Sequence, residues 1–374
     1  MQRSYARSSC NLSQFRDRLW KLLFQITQLL VMLWYYRPGR VLVLLTGWSL
    51  LSGHDLRYAR LLGMRSVAVF LGSDSRPPYL SGIDLLPENS IVDCEKLMSQ
   101  TAERARFVRR VESQVDTVIC APGTAHFLTR PFVNWFVVGM AVPDTWERKV
   151  DQRTTRTPVI VHAPTRPAHK GTQAITECLR DLEEEGLIFD FVRLEQVSNS
   201  AVQKDLLDAD IGLDQLYSDN YLGGFGVEAV EAGAALIVFG NAEGMLRSTT
   251  PWLPLIGYFP PDSLQPVLER AITDRRWLED LAREQHAFVQ REWSAKAIAE
   301  RFVQIAQNDL SADWLLDPQT LDYAWGWGMS QSDAVRGWTR YFRHAGPEGF
   351  FLAKTSPTRQ RIEEEINRQR DGNC

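Results

Sequence analysis

Short apolar runs alternate along the chain with longer stretches of helical periodicity, and they fall into two sets. The first set is Val41–Leu45, Ser66–Leu71, Thr117–Ala121 and Trp135–Val138; the second is Val159–Val161, Phe189–Val192, Ile211–Leu213 and Ala235–Phe239. Runs this short, bounded by turn residues, suit strands buried on both faces. Apolar positions at helical spacing predict helices near 172–185, 199–208, 225–232, 264–273, 277–290 and 294–307. Each set therefore predicts a mostly parallel sheet with helices on its faces, an α/β arrangement made twice. Residues 142–158, VPDTWERKVDQRTTRTP, are polar and bounded by prolines, as a linker is. After Asn308 the pattern changes to an aromatic-rich tail with Trp314, Trp325, Trp327, Trp338, Tyr341 and Phe342, then a charged helical end over 359–370. That density of aromatics implies packing against the preceding domains rather than sugar stacking.

These boundaries divide the chain into an N-terminal domain over 1–143, a linker over 144–157, a second domain over 158–309 and a tail over 310–374. A length of 374 residues suits two cores. With 24% charged residues and a net charge of −4 there is no general nucleic-acid footprint, so any anion site is local. The five cysteines include no C-x-x-C pair, which argues against a disulfide framework or a zinc site and fits a reducing, cytoplasmic setting. The stretch 19–36, LWKLLFQITQLLVMLWYY, is strongly apolar but contains Lys21, Gln25, Thr27 and Gln28 and has no small-residue cleavage site. It falls short of the ~20 apolar residues of a spanning helix. Leu19, Leu22, Leu23, Ile26, Leu30 and Leu33 form a stripe that predicts a helix packed on a sheet. The basic flank leaves peripheral membrane contact through 16–36 as the alternative.

In open α/β sheets ligands bind beyond the carboxyl ends of the strands. Four unusual segments fall there: HAPTRPAHKGT (162–172), RLEQVSN (193–199), DQLYSDNYLGGFGVEAVEAG (214–233) and FGNAEG (239–244). In the first, Arg166 and Lys170 lie between a buried strand and a helix start, where backbone N–H groups already favour an anion. The commoner reading of such a pair is two solvated surface residues. Gly223, Gly224 and Gly226 allow close approach of backbone to a ligand, and Glu228 stands either to accept ribose hydroxyls or to complement the helix dipole. A dinucleotide-binding dehydrogenase is disfavoured because no G-x-G-x-x-G follows a strand.

The combination HAPTRPAHKGT, ADIGLDQL and GGFGVEAVEAGAALIVFG resembles the nucleotide-sugar half of a GT-B glycosyltransferase, most closely the retaining family-four enzymes. The resemblance spans about 158–309 and ends in REWSAKAIAERF; over 38–143 it is weaker, carried by GWSLLSGHDLRYARLLGMRSVAVFLGSDSRPPYL and TAHFLTRPFVNWFVVGMAVP. It implies two Rossmann-like domains facing across a cleft, the first shortened, and transfer of a sugar from a nucleoside-diphosphate sugar to an acceptor nucleophile, with retention and with neither metal nor cofactor. Carried over, Arg166 and Lys170 match the pair that holds the donor diphosphate, and Glu228 the second acid of E-x7-E, expected on the ribose. Asn220 occupies the position of the first acid, with Asp219 beside it. Gly223, Gly224 and Phe225 are expected near sugar or phosphate, and Leu194 and Gln196 near the base. Gly47, Ser73, Asp74 and Arg76 fall on the acceptor side, with His126 past a strand end. Leu45 and Leu71 stand where relatives carry histidines. Together with Asn220 and the shortened first domain, they favour the alternative of a non-catalytic GT-B protein that binds a nucleotide sugar or serves as a partner subunit.

Overall fold

The computed structural model describes residues 20, 23–51, 53–87, 92–141 and 157–371, so the expected linker lies almost wholly outside the described residues. A helix over 23–35 (α1) leads into β1 (Val41–Leu45), α2 (His54–Leu61), β2 (Arg65–Val69), α3 (Gly82–Leu85), α4 (Cys94–Glu112), β3 (Thr117–Cys120), β4 (Phe132–Asn134) and α5 (Trp135–Val138). The second set of elements is β5 (Val159–His162), α6 (Pro167–Lys170), α7 (Thr172–Glu184), β6 (Asp190–Arg193), α8 (Asn199–Leu206) and β7 (Ile211–Leu213). It continues through α9 (Gly224–Glu231), β8 (Ala235–Phe239), α10 (Glu243–Thr249), β9 (Tyr258–Phe259), α11 (Leu264–Thr273), α12 (Arg275–Glu292) and α13 (Ala295–Gln307). β10 (Leu315–Leu316), α14 (Gln331–Ala345) and α15 (Pro357–Asp371) complete the chain.

The strands make two five-stranded sheets, ordered β1-β2-β3-β4-β10 and β6-β5-β7-β8-β9. All pairings are parallel except that of β10 with β4. The doubled α/β class expected from the apolar runs is present. Central strands such as β8 are buried at every position, which is why they read as unbroken Ala-Leu-Ile-Val-Phe rather than as an alternation.

Two expectations need correction. Trp135–Val138 is one turn of helix, and the strand is the preceding Phe132–Asn134. Asn134 ends the strand: its side-chain oxygen accepts from the Phe136 N–H at 3.1 Å, and its amide donates to Thr250 Oγ1 at 2.8 Å. The apolar run is buried because α12 and α13 pack on it, and Trp293 Nε1 donates to the Phe136 carbonyl at 3.0 Å. So short a run carries no period that separates helix from strand.

The second correction concerns α1. Leu23, Ile26, Leu30 and Leu33 of the expected buried stripe are exposed, and Leu19 and Leu22 lie outside the described residues. The helix is held through Met32 and Tyr36, which pack with Ala59 and Met64 beside α2. Tyr36 Oη also donates to Asp55 at 2.7 Å, so Asp55 is engaged with this helix and with Ser49 and the Leu50 N–H at the turn after β1.

The tail joins the first sheet rather than standing apart. Trp338, Tyr341, Phe350, Ile362 and Ile366 share one core with Leu44, Phe70, Tyr79 and Phe127, and Trp338 Nε1 donates to the Tyr79 carbonyl at 2.9 Å. Helix α13 covers the opposite face of that sheet through Ile305, against Val67, Val69 and Val133.

Candidate functional site

At the carboxyl end of β5, His162 is fully buried and uses both ring nitrogens: Nδ1 meets the Leu213 carbonyl at 2.8 Å and Nε2 meets Thr172 Oγ1 at 2.9 Å. Burial holds its pKa below the usual histidine value, against the pull of the Leu213 carbonyl. His162 thus ties β5 to the end of β7 and to the first residue of α7, with the 163–171 loop clamped between. Gly171 closes the loop at φ +71, and a Cβ there would lie 2.5 Å from Leu216 Cβ. Only glycine allows that approach in this conformation.

The loop presents its two cations differently. Arg166 is exposed, and its guanidinium makes no hydrogen bond or ion pair among the described residues. Lys170 is half-buried, and its Nζ lies 2.5 Å from Asp214 Oδ1 at the end of β7. Asp214 is a site residue that sequence reasoning missed; the signal available was a carboxylate directly after a buried strand.

Next along the sheet, Gly223 is the N-cap of α9 in an extended conformation, and Gly224 opens the helix. Their amides form the start of that helix with no side chain in front of them. Glu228, on the second turn, accepts from Asn199 Nδ2 at 3.0 and 3.3 Å and from Gln203 Nε2 at 3.4 Å, so α8 fixes its orientation. Phe225 and Leu194 are partly buried and pack against the cluster of Val161 and Ala229. Gln196, in the loop after β6, is exposed at φ +54, a left-handed conformation that an unbranched residue tolerates at a cost.

Asp219 and Asn220 lie on the same carboxyl edge. Asp219 is buried, and Arg76 from the first half donates to its Oδ2 through both Nε (2.8 Å) and Nη2 (2.6 Å). Asn220 Oδ1 is buried without a hydrogen-bond partner among the described residues. Gly123 lies against the Asp219 backbone, where a Cβ would come within 3.0 Å of its carbonyl oxygen.

The junction between the halves is laced by residues 323–328 of the tail. The Trp327 N–H donates to the Leu80 carbonyl (3.0 Å) and its carbonyl accepts from Gly82 (2.8 Å), while its indole donates to Gln215 (3.1 Å) and faces the Arg76 guanidinium at 5.7 Å. The Gly328 N–H donates to the Tyr217 carbonyl at 2.8 Å. His126, 8% exposed, meets the Tyr323 carbonyl through Nε2 at 2.7 Å, so Nε2 carries the proton and Nδ1 is left as a buried lone pair with no partner among the described residues. Burial pushes its pKa down to about 4, outweighing the Tyr323 bond. Neither Tyr323 nor Trp327 was singled out as a site residue from sequence, because a tail aromatic carries no sign of which strand end it meets.

On the first half, Ser73 and Asp74 line an open groove of about 970 Å³ with Thr46, Trp48, Arg104 and Phe107, at the carboxyl ends of β1 and β2. Asp74 accepts from the Leu71 and Gly72 N–H groups and so also caps its own loop. Gly47 is buried under this groove at φ +71, with the Phe70 ring 2.7 Å from where a Cβ would sit. Arg76 points away from the groove, to Asp219. Among the described residues no group of three or more His, Cys, Asp or Glu is placed to hold a metal ion.

The fold and site define a two-sheet α/β protein whose second sheet carries Arg166, Lys170, Gly223 and Gly224 at its carboxyl edge. No protein-family model matches the chain, and no curated protein matches it. Solved structures with a similar arrangement include Anabaena Alr3699/HepE in complex with UDP, at 12% identity over 69% of this chain and 76% of that one, with a TM-score of 0.43. The S. aureus MnaA-UDP co-structure is similar at 13% identity over 72% and 75% (TM-score 0.37), and TcCGT1 in complex with UDP at 11% over 77% and 81% (TM-score 0.39).

Proposed function

We propose that this protein is a GT-B glycosyltransferase that binds a nucleoside-diphosphate sugar on the carboxyl edge of its second sheet and transfers the sugar, with retention, to an acceptor seated on the first half. The observation that carries the proposal is the Arg166 guanidinium, unpaired among the described residues, beside Lys170 in a loop locked at the end of β5 by His162. In this reading Arg166 and Lys170 take the charge that grows on the leaving diphosphate as the bond from the anomeric carbon to oxygen breaks. They do the work of a divalent ion, so chelators leave turnover unchanged. The Gly223 and Gly224 amides add donors to phosphate or sugar. Glu228, oriented by Asn199 and Gln203, accepts the ribose hydroxyls. The groove beside Trp48 and Ser73 receives the acceptor.

One observation favours binding without transfer. Asp219, beside the position expected to carry the first acid, is already committed to Arg76, and that position holds Asn220 rather than an acid. An amide supplies no negative charge to a developing oxocarbenium ion. The deciding experiment is calorimetry and thermal shift with UDP-, GDP-, ADP- and TDP-sugars on wild type and on Arg166→Ala/Lys170→Ala, with donor hydrolysis followed in parallel. Binding that the double substitution removes, with hydrolysis, supports the transferase; binding without turnover on any acceptor supports the binding protein; no binding at millimolar ligand removes the donor site.

A further inference from the structure

We infer that α1 seats this protein on an anionic lipid bilayer surface, with the helix embedded among the headgroups and upper acyl chains. The inference does not rest on the proposed transferase activity.

Helix α1 is apolar on nearly every side and exposed on nearly every side. Phe24 is 64% exposed, Leu30 60% and Trp34 66%, while Met32 and the following Tyr36 are buried. A helix of that composition belongs in a protein interior or in lipid, not in water. A second protein surface covers one side of a helix. A fluid apolar phase covers all the sides that α1 leaves open, and this difference selects lipid. Thr27 returns its hydroxyl to the Leu23 carbonyl at 2.9 Å, so that polar group needs no water.

The ends of the segment carry the signature of an interface. Trp20 marks one end, and Trp34 and Tyr35 the other, where aromatic rings with one polar edge suit headgroup depth. No charged residue falls between Lys21 and Arg37. Arg37 bonds the Trp34 carbonyl at 3.0 Å and faces the Trp34 ring at 5.3 Å, and Arg40 reaches the Tyr35 carbonyl at 3.3 Å, which gathers two cations at the helix terminus. Val41, Val43 and Leu45 of β1, the outer strand of its sheet, are exposed as well.

Charge complementarity identifies the lipid. From residue 20 to residue 72 the chain has six Lys or Arg and a single acid, Asp55, which is buried and bonded to Tyr36; the whole chain carries a net charge of −4. A basic end on an otherwise acidic protein orients it toward an anionic membrane. The length of α1 decides how it binds. The uncharged stretch between Lys21 and Arg37 would span about 22 Å as helix at 1.5 Å per residue, against a hydrocarbon core of about 30 Å. No helix among the described residues is long and apolar enough to cross a membrane, so α1 lies in the surface.

The test is flotation of the full chain with vesicles of phosphatidylcholine mixed with phosphatidylglycerol, and with pure phosphatidylcholine. Wild type is expected to float with the mixed vesicles and to partition at least about tenfold more weakly onto the neutral ones. Leu30→Glu/Trp34→Glu is expected to lose at least about tenfold on both at unchanged melting temperature, because both side chains are exposed. Arg37→Glu/Arg40→Glu is expected to lose binding to the mixed vesicles alone. The inference is overturned if wild type floats with neither vesicle, or if the apolar double substitution floats like wild type. It is also overturned if wild type sediments as a dimer that the apolar double substitution makes monomeric without either binding vesicles, since a second copy then covers the helix.

Discussion

Arg76 and Asp219, 143 positions apart, join the two halves by directing two guanidinium donors onto one carboxylate oxygen in a buried setting. Removing one partner of such a pair strands a charge out of water. Arg76→Met is therefore expected to destabilise the protein by about 3–5 kcal/mol. Arg76→Met/Asp219→Leu should recover most of that loss, because two apolar groups need no desolvation. Equilibrium denaturation of the two single variants and the double variant gives the coupling directly; a double variant as unstable as the sum of the singles contradicts it.

Arg166 and Lys170 separate stability from binding. Arg166→Ala removes no partner among the described residues and is expected to change stability by no more than about 0.5 kcal/mol. It should nonetheless weaken nucleoside-diphosphate binding at least about tenfold, the scale of one charge-assisted contact. Lys170→Ala leaves the buried Asp214 without its lysine partner, so it should lower the melting temperature as well. Calorimetry and thermal unfolding on the two variants distinguish these outcomes.

His126 sets a pH dependence. Its pKa in the folded protein is about 4, against an ordinary value of 6.5, so the unfolded chain takes up the proton first as pH falls. The stability this histidine contributes is complete above pH 6.5 and is lost progressively down to pH 4, by up to about 3 kcal/mol. His126→Gln keeps a donor for the Tyr323 carbonyl but cannot titrate. Melting curves across that range should be flatter for the variant than for wild type.

Gly139 makes the tightest backbone approach at the α5 turn. It sits at φ +70, and a Cβ there would lie 2.3 Å from the Trp293 ring. Gly139→Ala combines a conformation few side chains adopt with an overpacked contact, each worth about 1–3 kcal/mol. A drop in denaturation midpoint well beyond that of Gly63→Ala, whose Cβ meets nothing within 4 Å, is the expected result.

The α/β alternation was legible because fully buried parallel strands leave unbroken apolar runs, as in β8, and because amphipathic helices such as α7 and α11 keep their period. Trp135–Val138 misled because an apolar run of one turn has no period, and the deciding group was the Asn134 side chain. The Arg166–Lys170 loop was legible as a local string between strand and helix. Its partner Asp214, the Asn199 and Gln203 amides on Glu228, and the Arg76–Asp219 pair were not, since each joins residues far apart in sequence with no local pattern to mark the match. The stripe on α1 was correctly seen as apolar and wrongly assigned a sheet to cover it, because periodicity reports a face and not what lies against it.

The placement of the tail also sets an order of synthesis and folding. The second sheet draws its strands from one continuous segment, Val159 to Phe259, and the helices that cover it, α11 and α12, follow directly, so it is complete once Glu292 has been made. The first sheet is not: β10 supplies its outer strand and Ile366 part of its core. The half made first therefore stays incomplete until residues 315–366 have been made, and a chain cut short before Leu315 has all the strands of its later-made sheet while its earlier-made sheet exposes an open strand edge.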